Sequence, residues 1–363
     1  MACFTIHQQL RFFQCVSVIF FFLAVAAFLL KTPENCNGGP SNNLIITNGG
    51  ISQRSSTPAL DLTITDLQGR PLFVFGDSTV DAGNFRITTR PYGIDYKTAT
   101  PRFTNGRTIA DDLAEKMGTP IPQAFNSLGA DDQHININFA SGGCGLLTKT
   151  NPLPCTSMSD QVIQMINARV GNVERARAVY FISVGANDIV FSFQSFPGTR
   201  NEFADVLVSK MESYMKLLFF SGGARIFVVN NLAPIGCIPD KFNGSSCDDN
   251  LNEVAEAFNI RLESALNKFR KDYGAAIFLA NSTKMFAQIL EHPEKFGFKN
   301  TTGPCCGEWK ALENRFDCGK NSSYCGDRDE FVFFDGAHST EAANKLFVDY
   351  CLSGRVCSPL GNV

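Results

Sequence analysis

Five short apolar runs recur along this chain and limit what it can fold into: Leu72–Phe75, Ile135–Ala140, Ala178–Val184, Ala224–Val229 and Ala276–Ala280. Between them lie stretches whose apolar residues recur every three or four positions, which predicts helices over 109–117, 160–170, 202–220 and 251–273, with a last helix from about 339 to 351. The strand-like runs are mostly continuous rather than half polar, as strands covered on both faces are. Strand and helix in alternation predict an α/β chain whose central parallel five-stranded sheet has helices on both sides. In such folds reacting groups collect beyond the carboxyl ends of the strands. Polar clusters stand there: Gly76-Asp77-Ser78, Ser141-Gly142-Gly143, Gly185-Ala186-Asn187-Asp188 and Asn230-Asn231.

Three segments divide the 363 residues. Residues 1–31 hold Arg11, a nearly unbroken apolar stretch from Cys15 to Leu30, and Lys31, which reads as a signal peptide. A signal anchor is the alternative, but about sixteen apolar residues fall short of the roughly 20 that span a bilayer, so cleavage is expected and no stable membrane span afterwards. Residues 32–69, rich in Asn, Gly, Ser, Thr and Pro, read as a flexible linker, and residues 70–357 as one folded domain without internal repeats. A hydrophobic content of 44% is ample for its core. The net charge of -3 supplies no basic field, which argues against nucleic acid as a partner. A secreted monomer is expected.

Thirteen cysteines agree with an oxidising compartment. Ten of them lie in the body, an even number at spacings suited to small disulfide loops, with Cys237–Cys247 and Cys351–Cys357 the first pairings expected. A zinc site over Cys305 to Cys325 is disfavoured because the segment has no Cys-x-x-Cys knuckle. Asn243, Asn281, Asn300 and Asn321 open Asn-x-Ser/Thr sequons in polar, loop-like sequence and are candidate glycosylation sites.

The Leu72–Phe75 run leads straight into Gly-Asp-Ser, a turn that lifts a hydroxyl from the end of a buried strand. Ser78 is therefore the candidate nucleophile. A serine hydroxyl attacks only when a base takes its proton, usually a histidine oriented by a carboxylate. Of four histidines only His338 has a carboxylate, Asp335, at close spacing before a helix; His7 is in the leader, and His134 and His292 read as a strand start and a surface loop. Acyl transfer also needs donors for a developing oxyanion, and Gly143 and Asn187 stand at strand ends where such donors belong. Each cluster has a plain alternative: a turn serine, a helix start at Asp335 and His338, a glycine chosen for positive φ, an Asx turn at Asn187. The case for chemistry is that all four occur together, in this order.

Phe75-Gly76-Asp77-Ser78 with Asp81 and Gly83-Asn84, Asn138 to Gly143, Gly185 to Asp188, and Asp335-x-x-His338 resemble the four signature blocks of the GDSL esterase/lipase family, in its plant secreted branch within the SGNH hydrolases. Pro91-Tyr92-Gly93 and Arg102 to Arg107 resemble that branch as well. The resemblance spans about Arg70 to Cys351. It implies a three-layer α/β/α flavodoxin-like fold, with Ser78 as nucleophile, His338 as base, Asp335 as its orienting acid, and an oxyanion hole from the Ser78 backbone N–H, Gly143 and Asn187. It implies no cofactor and no metal. The substrate implied is a small-molecule or lipid ester. Two positions depart from the family pattern: Phe85 stands where Asn is usual and Ser339 where Pro is usual. The second is expected to weaken helix entry without touching the base, the first to put apolar bulk beside the nucleophile loop. Two other functions fit the same residues, an acyltransferase using the same site and a catalytically idle extracellular glycan-binding protein.

Overall fold

A computed structural model describes residues 60–85, 89–96, 102–129, 135–148, 150, 154–242 and 244–360. The leader, the linker as far as residue 59, His134 and the sequon residue Asn243 lie outside the described residues. In chain order the strands are β1 (Leu72–Gly76), β2 (Gln123–Ala124), β3 (Ile137–Asn138), β4 (Val179–Ser183), β5 (Ile226–Asn230), β6 (Ala276–Ala280), β7 (Asn300–Pro304), β8 (Glu308–Lys310), β9 (Arg315–Asp317), β10 (Phe331–Phe333) and β11 (Cys357–Pro359). The α-helices are α1 (Ile109–Lys116), α2 (Met158–Asn167), α3 (Asn172–Arg177), α4 (Ala186–Ser192), α5 (Arg200–Phe220), α6 (Asp249–Tyr273), α7 (Ser282–Glu291) and α8 (Glu341–Leu352).

All five expected strands pair in parallel, and two short ones extend them: the sheet runs β11-β6-β5-β4-β1-β3-β2, with only β11 antiparallel to its neighbour. The order makes β1 the point from which the chain winds out in both directions, so a crevice opens at the carboxyl ends of β1 and β4. One face of the sheet buries Phe73, Phe75 and Tyr180 against Leu207, Phe258 and Phe269 of α5 and α6. The other buries Val74, Phe181 and Val228 with Leu113 of α1 and Phe347 of α8. Each buried Phe of this kind contributes about 1.5–3 kcal/mol, so the ends of β1 are held by a large apolar anchor.

Helix starts follow local chemistry. Thr108 Oγ1 accepts from Asp111 N–H while Asp111 reaches back to Thr108 N–H, and Thr199 with Glu202 does the same for α5. The structure departs from the sequence reading in several places. Residues 60–69, read as linker, already hold a 3-10 turn over Ile64–Leu67 with Leu67 wholly buried, because Leu67 packs under the first strand. The helix α7 was not anticipated, although Met285, Phe286 and Ile289 supply its buried face. The segment from Gly303 to Arg328, for which no strand was expected, contains the end of β7 and the β8–β9 hairpin, and β10 pairs with β7 in a separate two-stranded sheet outside the main one.

All ten body cysteines are paired, as Cys144–Cys155, Cys237–Cys247, Cys305–Cys325, Cys306–Cys318 and Cys351–Cys357. Both expected pairings are present. Among the described residues no helix is long and apolar enough to cross a membrane.

Candidate active site

The strand β1 ends in a turn that only glycine permits. Gly76 has φ +150°, and a Cβ there would stand 2.0 Å from the Ser183 carbonyl oxygen of β4. Gln161 of α2 fastens this end from both sides: its Oε1 accepts from Gly76 N–H at 2.9 Å and its Nε2 donates to Gly76 O at 2.9 Å. Asp77 then folds the turn, its Oδ1 accepting from Thr79 N–H at 3.0 Å and from Thr79 Oγ1 at 2.8 Å. Burial pushes the Asp77 carboxyl up to about 6, against the pull of those two hydrogen bonds. Ser78 crosses the top of the turn, 9% exposed.

Asp335 follows β10, and His338 closes the turn that Asp335 starts. Asp335 Oδ1 accepts from Ala337 N–H at 2.8 Å and His338 N–H at 2.7 Å. The His338 ring places Nδ1 2.8 Å from Asp335 Oδ2 and Nε2 2.8 Å from Ser78 Oγ, across 260 residues of sequence. With Nδ1 donating to the carboxylate, Nε2 is left to accept the serine proton. Burial disfavours the imidazolium, but the Asp335 charge and hydrogen bond, with Asp77 and Asp240 behind them, hold His338 above its ordinary value. Asp335 is pushed up by burial and drawn down further by His338, Tyr92 and the turn N–H groups, so it sits below the ordinary carboxylate value. The pair is thus a buried carboxylate locked onto a basic imidazole.

Two further carboxylates hold the donor loops. Asp81 takes Gly83 and Asn84 N–H on Oδ1, both at 2.7 Å, and Phe85 and Gly142 N–H on Oδ2, at 3.0 and 2.8 Å. That joins the loop after the nucleophile to the glycine loop after β3. Asp188, wholly buried, accepts from Leu146 N–H, Leu147 N–H and Thr150 Oγ1, joining α4 to the same loop. Gly142 N–H is spent on Asp81, whereas the N–H groups of Gly143, at φ +78°, of Gly145 and of Ser78 have no acceptor among the described residues. One N–H of the Asn187 amide donates to Cys144 O at 2.8 Å, which fixes the side chain and leaves its second N–H available.

Sequence reasoning missed the roles of Asp81, Asp188, Gln161 and Tyr92 in building this site. Asp81 and Asp188 stood in motifs, but nothing in their spacing says that they bind the backbone of a distant loop. Tyr92 Oη donates to Asp335 Oδ2 at 2.6 Å from 243 positions away. Both departures are accommodated. Phe85 turns its ring onto Phe103 at 5.7 Å, and Phe103 in turn lies 5.1 Å from the His338 ring, so the apolar bulk sits beside the base as well as the nucleophile loop. Ser339 Oγ donates to Asn344 Oδ1 at 2.6 Å, and Thr340 rather than Ser339 caps α8, accepting from Ala343 N–H. Of the sequon residues, Asn321 is exposed; Asn300 lies in β7, with its Oδ1 taking Thr302 and Gly303 N–H; Asn281 caps α7 through Lys284 N–H.

The family model for GDSL-like Lipase/Acylhydrolase matches residues 72–351, the span from β1 to the end of α8. GDSL esterase/lipase At2g23540 of Arabidopsis thaliana is 31% identical over 331 residues, covering 79% of this chain and 85% of that one. GDSL esterase/lipase At3g50400 of the same plant is 34% identical over 324 residues, covering 78% and 86%. A putative GDSL-like lipase from Parabacteroides merdae is a weaker likeness in structure, with 12% identity and a TM-score of 0.42 over 82% of this chain and 99% of that one. With the matched segment running from the strand under Ser78 to the helix that follows His338, the chain belongs to the GDSL-like lipase/acylhydrolase family.

Proposed function

We propose that this carboxylic ester hydrolase works through a covalent acyl-enzyme formed on Ser78. The observation that carries the reading is the unbroken chain of contacts from Ser78 Oγ to His338 Nε2 and from His338 Nδ1 to Asp335, each at 2.8 Å. Ser78 Oγ attacks the ester carbonyl as His338 takes its proton, and the imidazolium is stabilised by the buried carboxylate. The carbonyl oxygen gains negative charge and is met by the free N–H groups of Ser78 and Gly143 and the fixed amide of Asn187. His338 returns the proton to the leaving alcohol, and the acyl group stays on Ser78. Water, deprotonated by His338, then releases the acid and restores the serine.

An extracellular, glycosylated protein fits the five disulfides and the sequons. The substrate is a small-molecule or lipid ester. A fluorophosphonate probe tests the mechanism: it labels the wild-type protein on the peptide that contains Ser78 and fails to label Ser78→Ala. Labelling that survives the substitution, or a wild-type protein that takes no label, removes the reading.

A further inference from the structure

The Asp335 carboxylate receives one donor that belongs to neither its own turn nor the histidine. Oδ1 is occupied by Ala337 N–H and His338 N–H, and the His338 ring spans both oxygens. Oδ2 has one lone pair left, and Tyr92 Oη donates to it at 2.6 Å. We infer that Tyr92 is a positioning residue for the acid–base pair: its phenol fixes the rotation of the Asp335 carboxylate and draws charge from the oxygen that faces the imidazole. This rests on the reading of Ser78, His338 and Asp335 given above.

The loop that carries Tyr92 is built to hold it still. Gly93 N–H donates to Thr104 O and Asp95 N–H to Asn105 O, both at 2.8 Å, so the turn lies along the 102–107 segment. Asp95 accepts from Asn105 Nδ2 and from Arg328 Nη2, each at 2.8 Å, tying the loop to the segment just before β10. The Tyr92 ring lies edge-on to Phe334 at 5.6 Å and to Phe103 at 6.0 Å. Phe334 precedes Asp335 directly, so the same ring supports both the backbone and the carboxylate. Packing alone would be served by phenylalanine; the hydroxyl is there for the hydrogen bond, since an unpaired carboxylate lone pair in a buried setting is costly.

The charged groups facing the pair are acidic. Asp77 comes from the nucleophile turn, Asp240 donates its N–H to Gly336 O, and the charge of Asp317 in β9 acts on Tyr92. With these neighbours, loss of the phenol leaves the Asp335 anion less well stabilised. A less stabilised carboxylate holds the imidazolium more tightly, so His338 keeps its proton to higher pH.

The test is Tyr92→Phe, which preserves the ring, assayed on p-nitrophenyl esters across pH with melting temperature as a control. The expected result is a fall in kcat of roughly ten- to a hundredfold, the range of one charge-assisted hydrogen bond. KM is expected to change less than about twofold and the acid limb of kcat/KM to move to higher pH. In the Asp335→Asn background the same substitution is expected to do nothing further, because the partner is already altered. Unchanged kcat, or a lowered kcat with an unmoved acid limb and an additive effect on Asp335→Asn, overturns the inference. Fluorophosphonate labelling of Ser78 separates the two claims: if Ser78→Ala abolishes labelling and Tyr92→Phe has no effect on rate or pH limb, the nucleophile reading stands and only the role of Tyr92 falls.

Discussion

The two halves of the site are held by different means. Ser78 stands at the end of a fully buried strand in the middle of the main sheet, and its turn is fixed by Gly76, Gln161 and two buried carboxylates. Asp335 and His338 follow β10, which lies outside that sheet and pairs with β7, just after a segment cross-linked by Cys305–Cys325 and Cys306–Cys318. Ser78 is positioned from within the main sheet, whereas Asp335 and His338 lie beside it, between β10, whose Val332 and Phe333 pack into one face of the core, and α8, with cross-links and loop hydrogen bonds added. A core position resists local opening up to the stability of the whole domain, whereas a stapled excursion opens at lower cost. The difference between the halves is thus the cross-linked 303–328 excursion that only the Asp335 and His338 side carries.

The largest effect tests whether the halves act as one unit. Ser78→Ala and His338→Ala are each expected to lower kcat by on the order of a millionfold, with the double variant no worse than either, measured as single-turnover rates. Additive losses would break the comparison. Next, Gly76→Ala drives a methyl into Ser183 O and is expected to cost about 3 kcal/mol or more, lowering melting temperature and activity together. By contrast, replacing Cys305 and Cys325 with serine should free a local loop at a cost of about 2–4 kcal/mol. Activity should drop at least tenfold while the thermal transition of the main body stays close to that of the wild type. A parallel fall in both would show that the excursion shares the stability of the core.

Two pH measurements sharpen the contrast with smaller effects. His338 must be neutral to act as base, and its pKa is raised, so kcat/KM is expected to fall as pH drops through a value above the ordinary 6.5. An acid limb below that value would contradict the locked pair. Asp112 of α1 faces Arg107 and Glu341 of α8, the helix that follows His338, and its Oδ2 has no partner among the described residues. Burial, with the Glu341 charge, raises it from 3.8 to about 7. The folded state therefore binds more protons than the unfolded one between those values, and its stability falls as pH rises through about 7. Asp112→Asn is expected to melt a few degrees higher than wild type at pH 8, with the gain shrinking below about pH 7 and vanishing near the unfolded value of 3.8.

How far the sequence reached differs along the chain. Leu72–Phe75, Ala178–Val184, Ala224–Val229 and Ala276–Ala280 were legible as buried parallel strands because a strand covered on both faces needs apolar residues at every position. Ser78, Asp335 and His338 stood out because their residue types, and the short spacing of the last two, match what a nucleophile, its base and an orienting acid require. The edge strands β2 and β11 were not legible, since two or three residues leave no pattern to read. The β7–β10 pairing was hidden because Asn300–Pro304 is polar and partly exposed, and its strand geometry is imposed by a distant partner.

The amino-acid order thus determined the alternating layers, the turn that exposes a serine and the carboxylate three residues before a histidine, all of which depend on neighbours within a few positions. Only the tertiary structure decided that His338 reaches Ser78, that Asp81 takes the Gly142 N–H, and that Tyr92 closes on Asp335. Those contacts join residues separated by as many as 260 positions, and no local periodicity encodes which distant loop supplies the last hydrogen bond to a buried charge.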